Sequence, residues 1–169
     1  MTPGSPRTAL LMALAGLGSG CSREPVDLVT AADWVLAPAS ADPMPGHIGS
    51  EPCSPSGVYP ELGGLEVDTE LCPYALVQQP LAARVRRGDI LSLNWYHSDL
   101  ISDPPATGHL LLAVDGLIVY ERDIEIPTDA QAYLDEWPAE ESMDSGALVV
   151  LHLHNHGFNT WNFFQWQRR

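Results

Sequence analysis

The chain has 169 residues, of which 22 are Asp or Glu and only 8 are Lys or Arg, so its formal net charge at pH 7 is −14. Such an acidic chain argues against nucleic acid and anionic lipid headgroups as partners, because both are polyanionic. The length suits one domain with a buried core rather than two.

The first 20 residues have the pattern of a signal peptide. Arg7 supplies a positive charge, and residues 8–17 form an apolar run too short to span a bilayer, which requires about 20 residues. The segment Leu17-Gly18-Ser19-Gly20-Cys21 resembles the lipobox of bacterial lipoproteins, although that family prefers Leu where this chain has Gly18. The resemblance implies a lipid on Cys21 and a location in the cell envelope, as an outer-membrane or periplasm-facing lipoprotein. Plain secretion is the alternative.

Two cysteines remain for the folded part of the chain. Cys53 and Cys72 are an even pair, and an exported protein meets an oxidising compartment. We therefore predict a disulfide between them. A loop of this size would contribute roughly 3 kcal/mol to stability by the chain-entropy estimate.

Residues 21–60 are rich in Pro, Ala, Ser and Gly, which is typical of a tether or of an irregular arm lying on a domain. A tryptophan is unusual in a pure linker, so Asp33-Trp34-Val35-Leu36 is a candidate docking strand. We assign the folded domain to residues 61–169.

The pattern of the folded domain is that of β-structure. Residues 90–97 alternate apolar and polar side chains, as a half-buried strand does. Asp115-Gly116 is a strong two-residue hairpin signal between two further apolar runs. The predicted elements after the first strand are strands at 109–114, 117–121 and 124–127, a short helix at 128–137, and strands at 147–154 and 160–167.

Short strands separated by turn signals, without any long helical stripe, predict an all-β fold: a single antiparallel β-sandwich of the jelly-roll type. The order of strands and hairpin resembles that of carbohydrate-binding and galactose-binding-like sandwiches. This resemblance concerns the fold only and implies no residue roles.

The run His152-Leu153-His154-Asn155-His156 carries three of the six histidines. Strand alternation places His152 and His154 on one face, about 6–7 Å apart, where both would reach one metal ion. His97 ends one predicted strand and His109 begins the next, so a hairpin would bring them together. Imidazoles without thiolate suit Zn(II) or Cu(II). The main hypothesis is a non-enzymatic metal-binding protein in which His97, His109 and His156 complete the ligand set.

Three alternatives remain open at this point. The histidines could be structural, or the same cluster could serve a metal-dependent enzyme by keeping one coordination position open. The last predicted strand is aromatic on both faces, so Trp161, Phe164 and Trp166 could form an exposed platform for a carbohydrate or a protein partner. Alternatively, the arm or the disulfide loop covers these rings.

Overall fold

The computed structural model describes residues 24–44 and 53–169. Within these ranges the regular structure consists of eleven β-strands and three short 3-10 turns. None of the helical segments in the described ranges is long and apolar enough to cross a membrane. The predicted signal peptide and Cys21 lie outside the described residues.

The strands form two antiparallel sheets, which confirms the predicted all-β sandwich. The first sheet has the order β3-β4-β11-β6-β9, with β1 pairing along the end of β11, and the second has the order β2-β5-β10-β7-β8. The bounds are β1 Val26–Asp27, β2 Val35–Leu36, β3 Val58–Glu61, β4 Gly64–Asp68, β5 Tyr74–Pro80, β6 Ile90–His97, β7 Ala106–Val114, β8 Leu117–Ile126, β9 Gln131–Pro138, β10 Leu148–His154 and β11 Thr160–Arg168.

The core lies between the two sheets and is built by period-2 alternation. In β6, Leu91, Leu93 and Trp95 point inward and are at most 2% exposed. In β10, Leu151 and Leu153 face them from the second sheet and belong to the same buried cluster. Burying such side chains contributes about 25 cal/mol per Å² of apolar surface, which makes this layer the main source of stability.

A β-bulge in β11 changes which of its aromatic side chains face the core. The register pairs Phe163 with Trp95 and then Gln165 with Asn94, so Phe164 is an extra residue in β11. A single extra residue reverses the alternation beyond it. Trp161 and Trp166 therefore both point inward, whereas strict alternation would place them on opposite faces.

The helix predicted at residues 128–137 is wrong, because Gln131–Pro138 forms the edge strand β9. Each of its eight residues pairs with β6. Along β9, Tyr133, Asp135 and Trp137 are half-buried while the residues between them are exposed, which is the period of a strand. Pairing with a neighbouring strand has overridden the local preference for helix.

β6 and β7 do not form the hairpin that would bring His97 and His109 together. β6 belongs to the first sheet and β7 to the second, so the connection after His97 crosses from one sheet to the other. The hairpin predicted at Asp115-Gly116 does join β7 to β8. Both residues have positive φ, 48° and 82°, as a tight two-residue hairpin turn requires.

The chain before residue 61 is docked on the sandwich along much of its described length. β1, β2 and β3 extend the two sheets, and β2 lies within the segment predicted to dock. Cys53 and Cys72 form the predicted disulfide. It links the segment just before β3 to the turn before β5. A disulfide at this position is compatible with an exported protein.

Candidate functional site

The structure separates His97 from the other predicted metal ligands. His97 is fully buried on the inner face of the first sheet. Its ring lies 5.3 Å from Trp161 and 5.6 Å from Tyr133, and its Nδ1 is 2.8 Å from the carbonyl oxygen of Ser98. His97 is therefore a core histidine, and it cannot share an ion with residues on the far side of the second sheet.

The remaining four predicted ligands do come together, on the outer face of the second sheet. His154 pairs directly with His109 across β10 and β7. The ring centroids of His109 and His152 are 5.6 Å apart, and those of His154 and His156 are 4.8 Å apart.

Two of these imidazoles are hydrogen-bonded to carboxylates. His152 Nδ1 is 3.0 Å from Asp42 Oδ1, and Asp42 also accepts a hydrogen bond from the hydroxyl of Tyr74. The His152 and Asp42 side chains are 0% and 1% exposed. His109 Nδ1 lies 2.5 Å from Asp123 Oδ1. Burial, together with the hydrogen bond to Asp42, raises the pKa of Tyr74 above its usual value.

This cluster attaches the arm to the sandwich. Ala37 and Ala41 pack on Tyr74, Leu76 and Val150, which form a small apolar cluster outside the main core. Across residues 24–44 and 53–169, no three His, Cys, Asp or Glu side chains are arranged to hold one metal ion. The structure therefore offers no support for the predicted zinc or copper centre.

The predicted aromatic platform is largely inside the protein. Trp161 is 0% exposed and Trp166 is 1% exposed, since the bulge turns both inward. Only Phe164 is half-exposed. A binding surface on this strand must therefore use other side chains.

The outer face of the first sheet carries such side chains, and none of the sequence-based hypotheses included it. Its central row runs across five strands, from Tyr59 through Glu66, Asn162 and Tyr96 to Ala132. The next row includes Asn94, which pairs with Gln165 and Leu134. We call the surface formed by Tyr59, Glu66, Asn94, Tyr96 and Asn162 the polar face.

Asn162 is at the centre of the polar face. Its strand neighbours Trp161 and Phe163 point into the core, so its own side chain points outward. The residue is nevertheless only 7% exposed, and its Oδ1 has no hydrogen-bond partner among the described residues. Buried polar atoms are almost always paired, so an exception calls for an explanation.

Tyr59 and Glu66 form one end of the row. The Tyr59 hydroxyl donates a 2.6 Å hydrogen bond to Glu66 Oε1, and this bond raises the pKa of Tyr59 to about 12. Burial raises the pKa of Glu66 above its usual value. This hydrogen bond links a carboxylate and a phenol ring beside Asn162.

A hollow of about 320 Å³ opens beside the bulge in β11. β4 pairs with β11 as far as Phe163, and β1 pairs with it from Gln167, so the sheet edge is open between them. Phe164 and Gln165 line the hollow. Its volume is at the lower end of the range of about 300–1,000 Å³ for small-molecule sites.

The signal for the polar face was present in the sequence but was incomplete. Asn94 and Tyr96 alternate with core residues of β6, which shows that they share an outward face. Their proximity to Asn162 and Glu66 depends on the order β4-β11-β6, which no local pattern encodes.

The comparisons with known proteins show only distant likenesses. No protein-family model matches the chain, and no curated protein matches it. Among solved structures, the carbohydrate-binding module CBM4 is 11% identical with a TM-score of 0.46, and the match covers 83% of this chain and 97% of that one. An arabinose-bound α-L-arabinofuranosidase, MgGH51, is 10% identical with a TM-score of 0.43, covering 71% of this chain and 21% of that one. A family 16 carbohydrate-binding module is 12% identical with a TM-score of 0.38, covering 64% and 77%. These likenesses give no residue of this chain a functional role.

Proposed function

We propose that the protein is an exported, non-enzymatic module that binds neutral carbohydrate on its polar face. The observation that supports this most directly is the amide of Asn162, which is buried with an oxygen that no described residue satisfies. An unsatisfied buried polar group costs about 1–3 kcal/mol. Rotation of the amide toward a ligand that donates a hydrogen bond to this oxygen would recover that cost.

The chemistry of the polar face suits a sugar. The amides of Asn94 and Asn162 both donate and accept hydrogen bonds, as sugar hydroxyls do. The half-buried ring of Tyr96 offers a flat apolar surface, on which the C–H groups of a sugar ring can stack, and a polar tip. Glu66 disfavours an anionic ligand, so the expected carbohydrate is neutral. The hollow beside Phe164 can accommodate part of an oligosaccharide.

The module is held at the cell envelope by a lipid on Cys21. The lipobox-like segment that ends at Cys21 supports this, and the Cys53–Cys72 disulfide is compatible with export. The intact mass of the protein purified from membranes tests it. A lipidated N-terminus at Cys21 is expected, and an unmodified mature N-terminus would contradict it.

We expect Asn162→Ala and Tyr96→Ala each to weaken carbohydrate binding at least tenfold, which corresponds to about 1.4 kcal/mol. Each substitution removes one of the two contact types, the hydrogen bond or the stacked ring. Screening of neutral oligosaccharides on an array identifies a ligand, and titration calorimetry then measures the affinities of the parent and the variants.

Phe158→Ala is the matched control, because Phe158 is a 77% exposed aromatic residue in the loop between β10 and β11 and is not part of the polar face. It should bind as the parent does. Binding that survives in both polar-face variants, or the absence of any bound neutral oligosaccharide, would refute the proposed site.

A further inference from the structure

A second cavity, of about 520 Å³, lies at one end of the sandwich and gathers positive charge. Arg84, Arg86 and Arg168 line it, which are three of only eight basic residues in a chain of net charge −14. Glu24 and Asp89 also line it. The average charge of the chain, which argues against anionic partners, conceals this local concentration.

The acidic groups near the cavity include Asp89, which has a structural role in the loop. The Asp89 carboxylate accepts a 2.9 Å hydrogen bond from the backbone N–H of Arg86, so it organises the loop. Arg84 Nε is 3.4 Å from Asp144, with side chains 62% and 85% exposed. Ion pairs this exposed contribute little and exchange readily with solvent.

Arg168 brings to the cavity a buried donor that no described residue satisfies. Its pairing with Leu91, a core residue of β6, places its side chain on the inner side of the first sheet. Its Nε is buried and has no hydrogen-bond partner in the part of the chain that the structure describes. A guanidinium has five donors in a planar fork and no acceptor, so only an acceptor can satisfy it.

We propose that Arg84, Arg86 and Arg168 form a binding site for a phosphate group, distinct from the polar face. Guanidinium groups bind phosphate oxygens with paired, charge-assisted hydrogen bonds, and three of them around one cavity match a tetrahedral oxyanion. The site goes beyond the proposed carbohydrate binding and does not depend on it.

The position of the site indicates where a phosphate would come from. Glu24 and Val26 line the cavity, and Cys21 is three residues before Glu24. Three residues span at most about 11 Å. A lipid on Cys21 would therefore keep the cavity at the bilayer surface, among headgroup phosphates. Free phosphate in the envelope has the same chemistry and is the other source.

The test uses the exported protein carrying Cys21→Ser, so that no lipid is attached. Inorganic phosphate is titrated at constant ionic strength, and binding is measured by calorimetry. We expect Arg168→Gln and Arg86→Gln each to reduce phosphate affinity at least tenfold. Arg87→Gln is the control: it removes the same charge one residue from Arg86, but Arg87 does not line the cavity.

Arg86 is exposed, so Arg86→Gln keeps the test valid if Arg168→Gln fails to fold. Sedimentation with vesicles of phosphatidylcholine, with and without phosphatidylglycerol, distinguishes the sources. Binding to the anionic vesicles that is lost in both variants assigns a headgroup, and phosphate binding without vesicle binding assigns free phosphate; either supports the site. An absence of phosphate binding by the parent, or equal affinity in the parent and both variants, would overturn the proposal.

Discussion

Asp42→Ala is expected to lower the free energy of unfolding by about 3–5 kcal/mol, because each unsatisfied buried polar group costs about 1–3 kcal/mol and Asp42 satisfies several. The Asp42 carboxylate is bound to His152 Nδ1 and the Tyr74 hydroxyl, and one of its oxygens also accepts the backbone N–H of Met44 at 2.9 Å. Its removal leaves buried donors without an acceptor. The loss would be a large fraction of the 5–15 kcal/mol typical of a domain.

Urea denaturation followed by circular dichroism measures this loss. Asp33→Ala is the control, because Asp33 is exposed on the same arm and should change stability by no more than about 0.5 kcal/mol. Amide exchange of Ala37, whose N–H donates to the carbonyl of Leu76 at 2.8 Å, should accelerate as the arm loosens. A loss under about 1 kcal/mol would mean that water replaces the carboxylate and that the arm is held by other contacts.

Trp95→Ala is expected to cost about 3–5 kcal/mol, as truncation of a buried tryptophan does. Trp95 is 0% exposed at the centre of an aromatic stack. Its ring lies 4.0 Å from Tyr133 at an interplanar angle of 9°, and 5.7 Å from Trp161 at 6°. Its Nε1–H is 3.0 Å from Asp135 Oδ2, the oxygen that also accepts a 2.6 Å hydrogen bond from the Tyr120 hydroxyl. The residue thus joins the two sheets at the edge formed by β8 and β9.

Trp95→Phe separates the two contributions, because it keeps a stacking ring and removes the indole N–H. We expect a smaller loss, of about 1–3 kcal/mol, from the unmet hydrogen bond and the reduced packing. Leu134→Ala on the adjacent strand β9 is the control, since Leu134 is 66% exposed. Equal stability of Trp95→Ala and the control would contradict this account of the core.

The separation of His97 from the other histidines and the strand at residues 131–138 have one cause. Alternation showed that His97 shares a face with Leu91, Leu93 and Trp95, but whether β6 and β7 pair is a property of the whole sheet order. Likewise, residues 131–138 carry a weak local preference, and the edge of β6 decides their conformation. Propensity is a small term beside strand pairing and burial.

The outer face of β10 is apolar in sequence, but the sequence does not show what covers it. Residues 147–154 are apolar on both faces, which is unusual for a strand with one face in water. The structure supplies the reason: residues of the arm cover Val150 and His152. Only the fold showed that the cover comes from more than a hundred positions earlier in the chain.

Period-2 alternation and turn chemistry are local properties of a chain, so the sequence alone predicted β6, β7, β10 and β11, the β7–β8 turn, the Cys53–Cys72 disulfide and the sandwich class. Only the tertiary structure decided what meets on each surface. Asn162 lies between Glu66 and Tyr96, and Arg168 joins Arg84 and Arg86, because antiparallel pairing brings together segments that are far apart in sequence. The bulge at Phe164, one residue long, then selected which aromatic rings the core would bury.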